Sequence, residues 1–430
     1  MNIYPDSYYA HTRVEAPEHA PLLQDLRADV CIIGAGFAGL TCALDLAKSG
    51  IDVIVLEAQH VGWGASGRNG GFVSPRYAQD LNSIIKTCGL AQARALFELS
   101  REGAVALRDL VSQYDMPGVD PVPGYLHVQR HDDMNTILKT RELLTEKFDY
   151  PVDVLGKQEL AERLSTRRYH QAWYESEAAF HIHPLNYALG LAKAAVGEGA
   201  RVFEQAKVIK LETKGSQNKV LTAQGAVRCK HVVFCASAYM KGVFPAISSA
   251  ILPVATYVVS TESLGEKLPL AVRTNAAIVE SRRASNYYRI VQGDRLLWGG
   301  RITTRQSEPA ALGAMMKRDI LDVYPQLGNF RIDHAWGGLM GYAVHKMPLV
   351  GQVGEGVWVA SAFGGHGLNT ATIGGRIIAE AIAHGSDRYR LFAPYKARWA
   401  GGLIGRAAVQ LSYWKMQMQD KLRERAAPQS

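Results

Sequence analysis

The residues with the clearest capacity for chemistry are glycines. Gly34-Ala-Gly36-Phe37-Ala38-Gly39 has the spacing of a backbone cradle for a diphosphate. Gly34 permits a tight turn, Gly36 lets the main chain approach a pyrophosphate, and Gly39 lets a following helix lie close on a preceding strand. Phe37 and Ala38 open that helix, whose N-terminal N–H groups face the phosphates. Glu57, with Ala58 beside it, closes the next apolar run at the spacing where a carboxylate accepts hydrogen bonds from ribose hydroxyls. These residues predict a dinucleotide site, a fingerprint that NAD and FAD share.

The next stretch separates the two. Gly62-Trp-Gly-Ala-Ser66-Gly67-Arg68-Asn69-Gly70-Gly71 follows where a nicotinamide enzyme would continue into another crossover helix. A loop of this kind is either a flexible surface loop or a set of backbone donors for an extended polar ligand. A second turn, Gly364-Gly365-His366-Gly367-Leu368-Asn369, runs into a helical pattern and can aim unpaired N–H groups at the part of a flavin that becomes anionic on reduction. His366 stands in that turn, where a structural and a catalytic role are both open. With no second complete fingerprint, the reducing equivalents come from an organic substrate, which FAD accepts at N5.

The elements that position these residues follow from periodicity. Residues 28–33 and 51–56 read as buried strands and 37–49 as a helix with Leu40, Ala43, Leu44 and Ala47 on one face. Helical patterns return at 90–114, 134–148 and 185–196, and strand patterns at 125–129, 202–211, 219–222 and 231–235. Residues 250–305 are rich in strand formers with a Gly293-Asp294 turn, which predicts an antiparallel sheet. Residues 357–380 read as strand, turn and helix. The expected fold is α/β: a discontinuous Rossmann-type FAD-binding domain (28–108, 179–240, 332–400), an α+β substrate domain with an antiparallel sheet (109–178, 241–331), and a helical tail (401–430).

Composition narrows the classes. No window approaches the roughly 18 apolar residues of a membrane span, and residues 1–12 lack the pattern of a secretory signal, so a cytoplasmic location is expected. Cys31, Cys42, Cys88, Cys229 and Cys235 form no Cys-x-x-Cys pair, which indicates neither a disulfide framework nor a dithiol relay. The net charge of +8 is spread along the chain, an argument against nucleic acid as a partner. Its one concentration, Arg406, Lys415, Lys421, Arg423 and Arg425, reads as the solvated face of a terminal helix, with weak membrane-surface contact as the alternative. His181 and His183 would share a strand face but lack companions at ligand spacing, so no metal is expected. Tyr287 and Tyr288 either line a pocket or pack the sheet.

These motifs together resemble the D-amino-acid-oxidase-like FAD-dependent oxidoreductases, in particular their gamma-glutamylputrescine oxidoreductase branch. The resemblance is carried by Ser7-Tyr-Tyr9, the fingerprint to Glu57, Gly64-Ala-Ser-Gly-Arg-Asn-Gly-Gly71, Ala236-Ser-Ala-Tyr239, residues 288–301, Trp336-Gly-Gly338, Phe363-Gly-Gly-His-Gly367 and the tail through Asp420. It implies that Gly34, Gly36, Gly39 and Glu57 hold the ADP half of FAD, that residues 66–71 run beside the pyrophosphate and flavin, that Gly365, Gly367 and Leu368 border the ring, and that Val208 meets the adenine side through its backbone. Relatives with covalent FAD use a histidine where Arg68 stands or a cysteine near the C-terminus, and no cysteine follows Cys235, so a non-covalent cofactor is implied. Relatives of the sarcosine oxidase type place phenylalanine and a carboxylate-holding lysine where Leu368 and Asn369 stand. The implied reaction is oxidation of an amine to an imine that water hydrolyses, with His366, Tyr288 and Asn369 as catalytic candidates and O2 or a quinone as electron acceptor. Gamma-glutamylputrescine or a related polyamine derivative is the first substrate expected. A D-amino acid, glycine or sarcosine enzyme is the alternative, and a flavin-containing RNA-modifying protein is the rival of another class.

Overall fold

The computed structural model describes residues 4–214, 217–240, 242–282 and 285–426. Val30–Ile33 and Val53–Leu56 are continuous apolar runs buried on both faces, the signature of central parallel strands. They lie side by side in a six-stranded sheet with His231–Phe234 and Val357–Ser361 on one flank and Arg201–Phe203 on the other. Leu349–Gly354 pairs antiparallel at the edge. Alternation sorts the side chains. Val30, Ile32, Val53 and Val55 share a core with helices Phe37–Lys48, Pro184–Gly197 and Gly367–His384. Cys31, Ile33, Ile54 and Leu56 pack against a small four-stranded sheet that includes Gln217–Leu221 and Ala226–Cys229.

The second layer is a nine-stranded, mainly antiparallel sheet. Its path runs Ile332–Tyr342, Leu252–Thr261, Arg295–Thr303, Tyr287–Val291, Ala277–Glu280, Val122–Gln129, Gln171–His181 and Phe72–Val73, with Asp153–Leu155 also pairing to Gln171–His181. Ile332–Tyr342 pairs with Leu252–Thr261 along its length, so this segment belongs to the large sheet rather than to the nucleotide-binding layer expected from residue 332 onward. Gln171–His181 is a strand, of which only the end at His181 was expected as one. His181 ends it, and His183 instead caps helix Pro184–Gly197 by accepting from Asn186 N–H, so the two histidines do not share a strand face. The helix expected from residue 90 does begin there: Gly89, at φ 80°, leaves the helical conformation and kinks the segment Leu81–Gln113, so a short helical stretch precedes the expected helix.

Candidate active site

The strand Val30–Ile33 delivers its chain into the turn at Gly34, whose φ of 107° suits glycine. A Cβ at Gly39 would fall 2.0 Å from Gly34 O, so only glycine lets the helix start this close to the strand end. At Gly36 a Cβ would meet Ser66 Oγ at 2.8 Å, and that hydroxyl accepts from Phe37 N–H at 3.1 Å. The glycine-rich loop thus folds across the helix N-terminus. Ala38 is buried in the first turn. Glu57 accepts from Ala35 N–H (2.8 Å) and Gln59 N–H (2.9 Å), which fixes its carboxylate beside the turn. Burial pushes the Glu57 carboxyl up, and these backbone donors, with Ala58, oppose the shift. Val208 sits in the apolar cluster with Leu56 and Ala206, and Ala206 N–H donates to Glu57 O. A helix start that Gly36 leaves without a side-chain cap, a cradle that any Cβ would fill and an oriented carboxylate fit the ADP portion of FAD.

The loop is braced from within. Asn69 Nδ2 donates to Ala65 O and Ser66 O at 2.9 Å, and its Oδ1 accepts from Gly71 N–H. Gly67 is buried on Gly62 and Leu185. The Tyr287 ring lies against Gly70, and Gly71 takes a φ of 83° with no room for a side chain beside Ile182 O. Behind the loop, Arg289 is buried and donates to Gly70 O, Tyr9 Oη and Ile182 O, with His181 Nδ1 as a further partner. None of these is a carboxylate. Arg68 donates from Nε to Trp63 O at 2.7 Å and stacks 4.0 Å over the Trp63 ring, while its Nη2 is buried without a hydrogen-bond partner.

The second turn follows strand Val357–Ser361. Gly364 N–H donates to Gly341 O, Gly365 is exposed, and Gly367 begins helix Gly367–His384 with His366 as the residue before it. Leu368 is buried in the core. His366 Nδ1 has no partner among the described residues. Burial, then the charge of Arg76, draws the imidazole down to about 4, with Glu175 opposing, so it is neutral at physiological pH. Asn369 is buried and gives its Nδ2 to Ser100 O and Oγ, which ties it to helix Leu81–Gln113.

His366 feels Arg76 and Glu175 because a buried polar cluster flanks the turn. Arg76 Nη2 meets Glu175 Oε1 at 2.9 Å, Arg76 Nη1 lies 2.7 Å from His127 Nε2, and His127 Nε2 lies 3.0 Å from the same carboxylate oxygen. Tyr150 donates to the other oxygen. His127 stacks on Trp173 at 3.5 Å, and Arg76 covers that ring at 4.1 Å. Burial would push the Glu175 carboxyl up, but Arg76, His127 and Tyr150 together hold it at about 2. Burial and the neighbouring guanidinium take His127 to about 3. Ser100 Oγ donates to Arg76 O, so one hydrogen-bonded chain runs from Asn369 through Ser100 to this cluster.

The structure therefore gathers Gly34, Gly36, Phe37, Ala38, Gly39, Glu57 and Ser66 at one turn, and Arg68, Asn69, Gly70 and Gly71 in the adjoining loop. Tyr288 is a correction. It is fully buried, stacked 4.2 Å from Trp298, and its hydroxyl is engaged by Tyr169 and Tyr324 in the core of the large sheet. Tyr287, pointing to the opposite face, is the member of the pair that reaches the loop. Asn369 gives its Nδ2 to Ser100, while its Oδ1 is buried without a partner among the described residues. Arg301 is held by both oxygens of Asp319. The sequence reading missed Arg76, His127, Tyr150, Trp173 and Glu175. A signal was present in Glu175, a lone acid in the first half of Gln171–His181, but it is legible only once that segment is read as a strand.

A Rossmann layer with a braced second loop, a glycine turn carrying an unpartnered histidine and a large covering sheet define an FAD-dependent oxidoreductase. The chain belongs to the FAD dependent oxidoreductase family, whose model matches residues 29–381, and FAD is its cofactor. It is similar to the probable oxidoreductase OrdL of Haemophilus influenzae, at 33% identity over 429 residues and 97% of each chain. It is also similar to the gamma-glutamylputrescine oxidoreductase of Escherichia coli, at 32% identity over 399 residues, covering 91% of this chain and 92% of that one. Among solved structures, glycine oxidase from Geobacillus kaustophilus shares the fold with a TM-score of 0.73 at 20% identity, over 87% of this chain and 99% of that one. Among the described residues no helix is long and apolar enough to cross a membrane.

Proposed function

We propose that this enzyme oxidises an amine whose carboxylate lies many bonds from the reacting carbon, with gamma-glutamylputrescine or a related polyamine derivative as the substrate class. The observation that carries the reading is a pair of buried orphans, Arg68 Nη2 and His366 Nδ1, one on each glycine-rich segment of the site. FAD, when bound, supplies the acceptor for the hydride equivalent removed from the amine-bearing carbon. His366, neutral at physiological pH, offers Nδ1 to a substrate N–H. Arg68, whose hydrogen bonds go to carbonyl oxygens, disfavours an ammonium nearby and so favours the neutral amine that can lose hydride. The imine product is then hydrolysed by water.

What supports a remote carboxylate is the small number of uncommitted cations: Arg76 is committed to Glu175 and Arg301 to Asp319, Asn369 carries no charge, and Arg68 Nη2 is left as the single open donor of this set. A carboxylate adjacent to the reacting carbon would be desolvated with few partners. The relative acting on gamma-glutamylputrescine supports the same class. Anaerobic stopped-flow reduction with gamma-glutamylputrescine, glycine and sarcosine tests this. The first should reduce the flavin at least about tenfold more efficiently, a difference of about 1.4 kcal/mol in transition-state binding. Faster reduction by sarcosine would overturn the substrate class while leaving the flavoenzyme intact.

A further inference from the structure

The C-terminal helix Gly402–Ala426 is amphipathic in the inverted sense. It sits on the protein by its polar side. Gln410 Oε1 accepts from Thr303 Oγ1 (2.8 Å) and Thr304 N–H (2.9 Å), Arg406 Nη2 donates to Thr304 O, and Tyr413 is turned inward. The outward face carries Leu403, Ile404, Leu411, Trp414, Met418 and Leu422, spaced so that they form one stripe along the helix. Leu403 is 79% exposed, Ile404 78% and Trp414 58%. Ala407 and Ala408 share this face, and its polar members among the described side chains include Ser412 and Lys415. Of the basic residues expected on a solvated face, Lys415 is exposed and Arg406 is not. Arg406 points inward and Lys415 borders the apolar stripe. The side chains of Lys421, Arg423 and Arg425 lie outside the described residues.

Single exposed apolar residues need no explanation, but a continuous stripe about 28 Å long does, since monomeric surfaces rarely keep one. We propose that this stripe seats the enzyme on an anionic lipid surface, with the helix lying in the interfacial plane. Charge selects this occupant over a second copy of the chain. The helix sequence holds five basic residues (Arg406, Lys415, Lys421, Arg423, Arg425) against two acidic ones (Asp420, Glu424), and Lys396 and Arg398 precede it in a chain of net charge +8. Pairing two such helices would bring like charges together, whereas an anionic surface attracts each basic residue, raising partition by roughly fivefold apiece. Trp399, 68% exposed in the segment just before the helix, and Trp414 within the stripe are the residue type that settles at headgroup depth. Lys415 can extend its ammonium from the edge of the stripe toward lipid phosphates while its stem stays on the apolar side.

The test is co-sedimentation of the full-length, FAD-loaded enzyme with vesicles of phosphatidylcholine alone or with about 30% phosphatidylglycerol, across a salt series. The expected result is at least roughly tenfold more protein on the anionic vesicles at low salt, falling as salt rises. The double variant Leu411→Glu, Trp414→Glu should lose that binding about tenfold while retaining FAD content, circular dichroism and flavin reduction by soluble substrate, because both side chains face away from the fold. Lys415→Glu should lower partition onto the anionic vesicles by at least roughly fivefold. Absence of binding to both vesicle types, or unchanged binding of the double variant, overturns the proposal. So does a wild-type dimer in analytical ultracentrifugation that the double variant converts to monomer, which would assign the stripe to a second copy.

Discussion

Replacing Glu175 with glutamine keeps the shape of the cluster beside His366 and removes its one negative charge. In the folded enzyme Arg76, His127 and Tyr150 hold this carboxyl at about 2, against an ordinary value of 4.5. That difference corresponds to about 3 kcal/mol of folding free energy at neutral pH, and it agrees with the 3–5 kcal/mol expected when one partner of a buried pair is removed. The direction follows from linkage. A depressed carboxyl contributes stability that is complete above its unfolded value and is lost as pH falls from about 4.5 toward 2. Glu175→Gln should therefore be less stable than the wild type by about 3 kcal/mol in urea at pH 7, and the gap should narrow steadily below about pH 4.5. A loss under about 1 kcal/mol at pH 7, or a gap that does not change with pH, would refute the assignment of Glu175 as the counter-charge of Arg76.

Glu57→Ala removes an acceptor placed beside the dinucleotide turn and should weaken FAD by about 1.5–3 kcal/mol, read by titration of apoprotein with FAD. Unchanged affinity would mean that Glu57 does not meet the ribose. His366→Ala should slow flavin reduction by substrate with FAD content near wild type, and parallel loss of both would make the residue structural. Because burial and Arg76 draw His366 to about 4, its neutral form adds stability that is complete above about pH 6.5 and is lost as pH falls toward 4; pH titration of the imidazole by NMR should find no midpoint above about 5.5. Acid precipitation should leave a colourless pellet and free FAD in the supernatant, and a yellow pellet would contradict the absence of a covalent tether.

The nucleotide-binding layer was legible in the sequence because its chemistry is carried by backbone. Gly34, Gly36 and Gly39 have their roles fixed by spacing, and the apolar runs around them specify parallel strands without knowledge of distant partners. Helix Met134–Phe148 matched its periodicity for a similar reason, since a helical face is a local property. The wall of the site was less legible because it is assembled from strands far apart in the chain. Glu175, His127 and Arg76 meet only through the pairing of Gln171–His181 with Val122–Gln129, and a buried glutamate breaks the alternation that would have revealed the strand. Tyr287 and Tyr288 were inseparable for another reason. Neighbours on a strand face opposite ways, and only the register that sets Tyr287 against Gly299 decides which one reaches the loop.

The contacts of helix Gly367–His384 limit how this enzyme can diversify. A Cβ at Gly375 would lie 2.2 Å from Ala38 O in the dinucleotide helix, and one at Gly103 would lie 2.3 Å from Asn369 O. Backbone therefore meets backbone at both places, and no side chain is available there to absorb a shift. The cofactor-facing helix, the helix bearing the His366 turn and helix Leu81–Gln113 form a single block whose parts cannot drift separately under mutation. New substrate preferences must then arise by exchange of side chains on the opposing sheet, at positions such as Tyr125 and Tyr287 that lie outside the Arg76–Glu175–His127 cluster, the Tyr288 core and the Arg289 brace. A library confined to such positions should retain folded, flavin-loaded protein far more often than one that varies the turn and its helix.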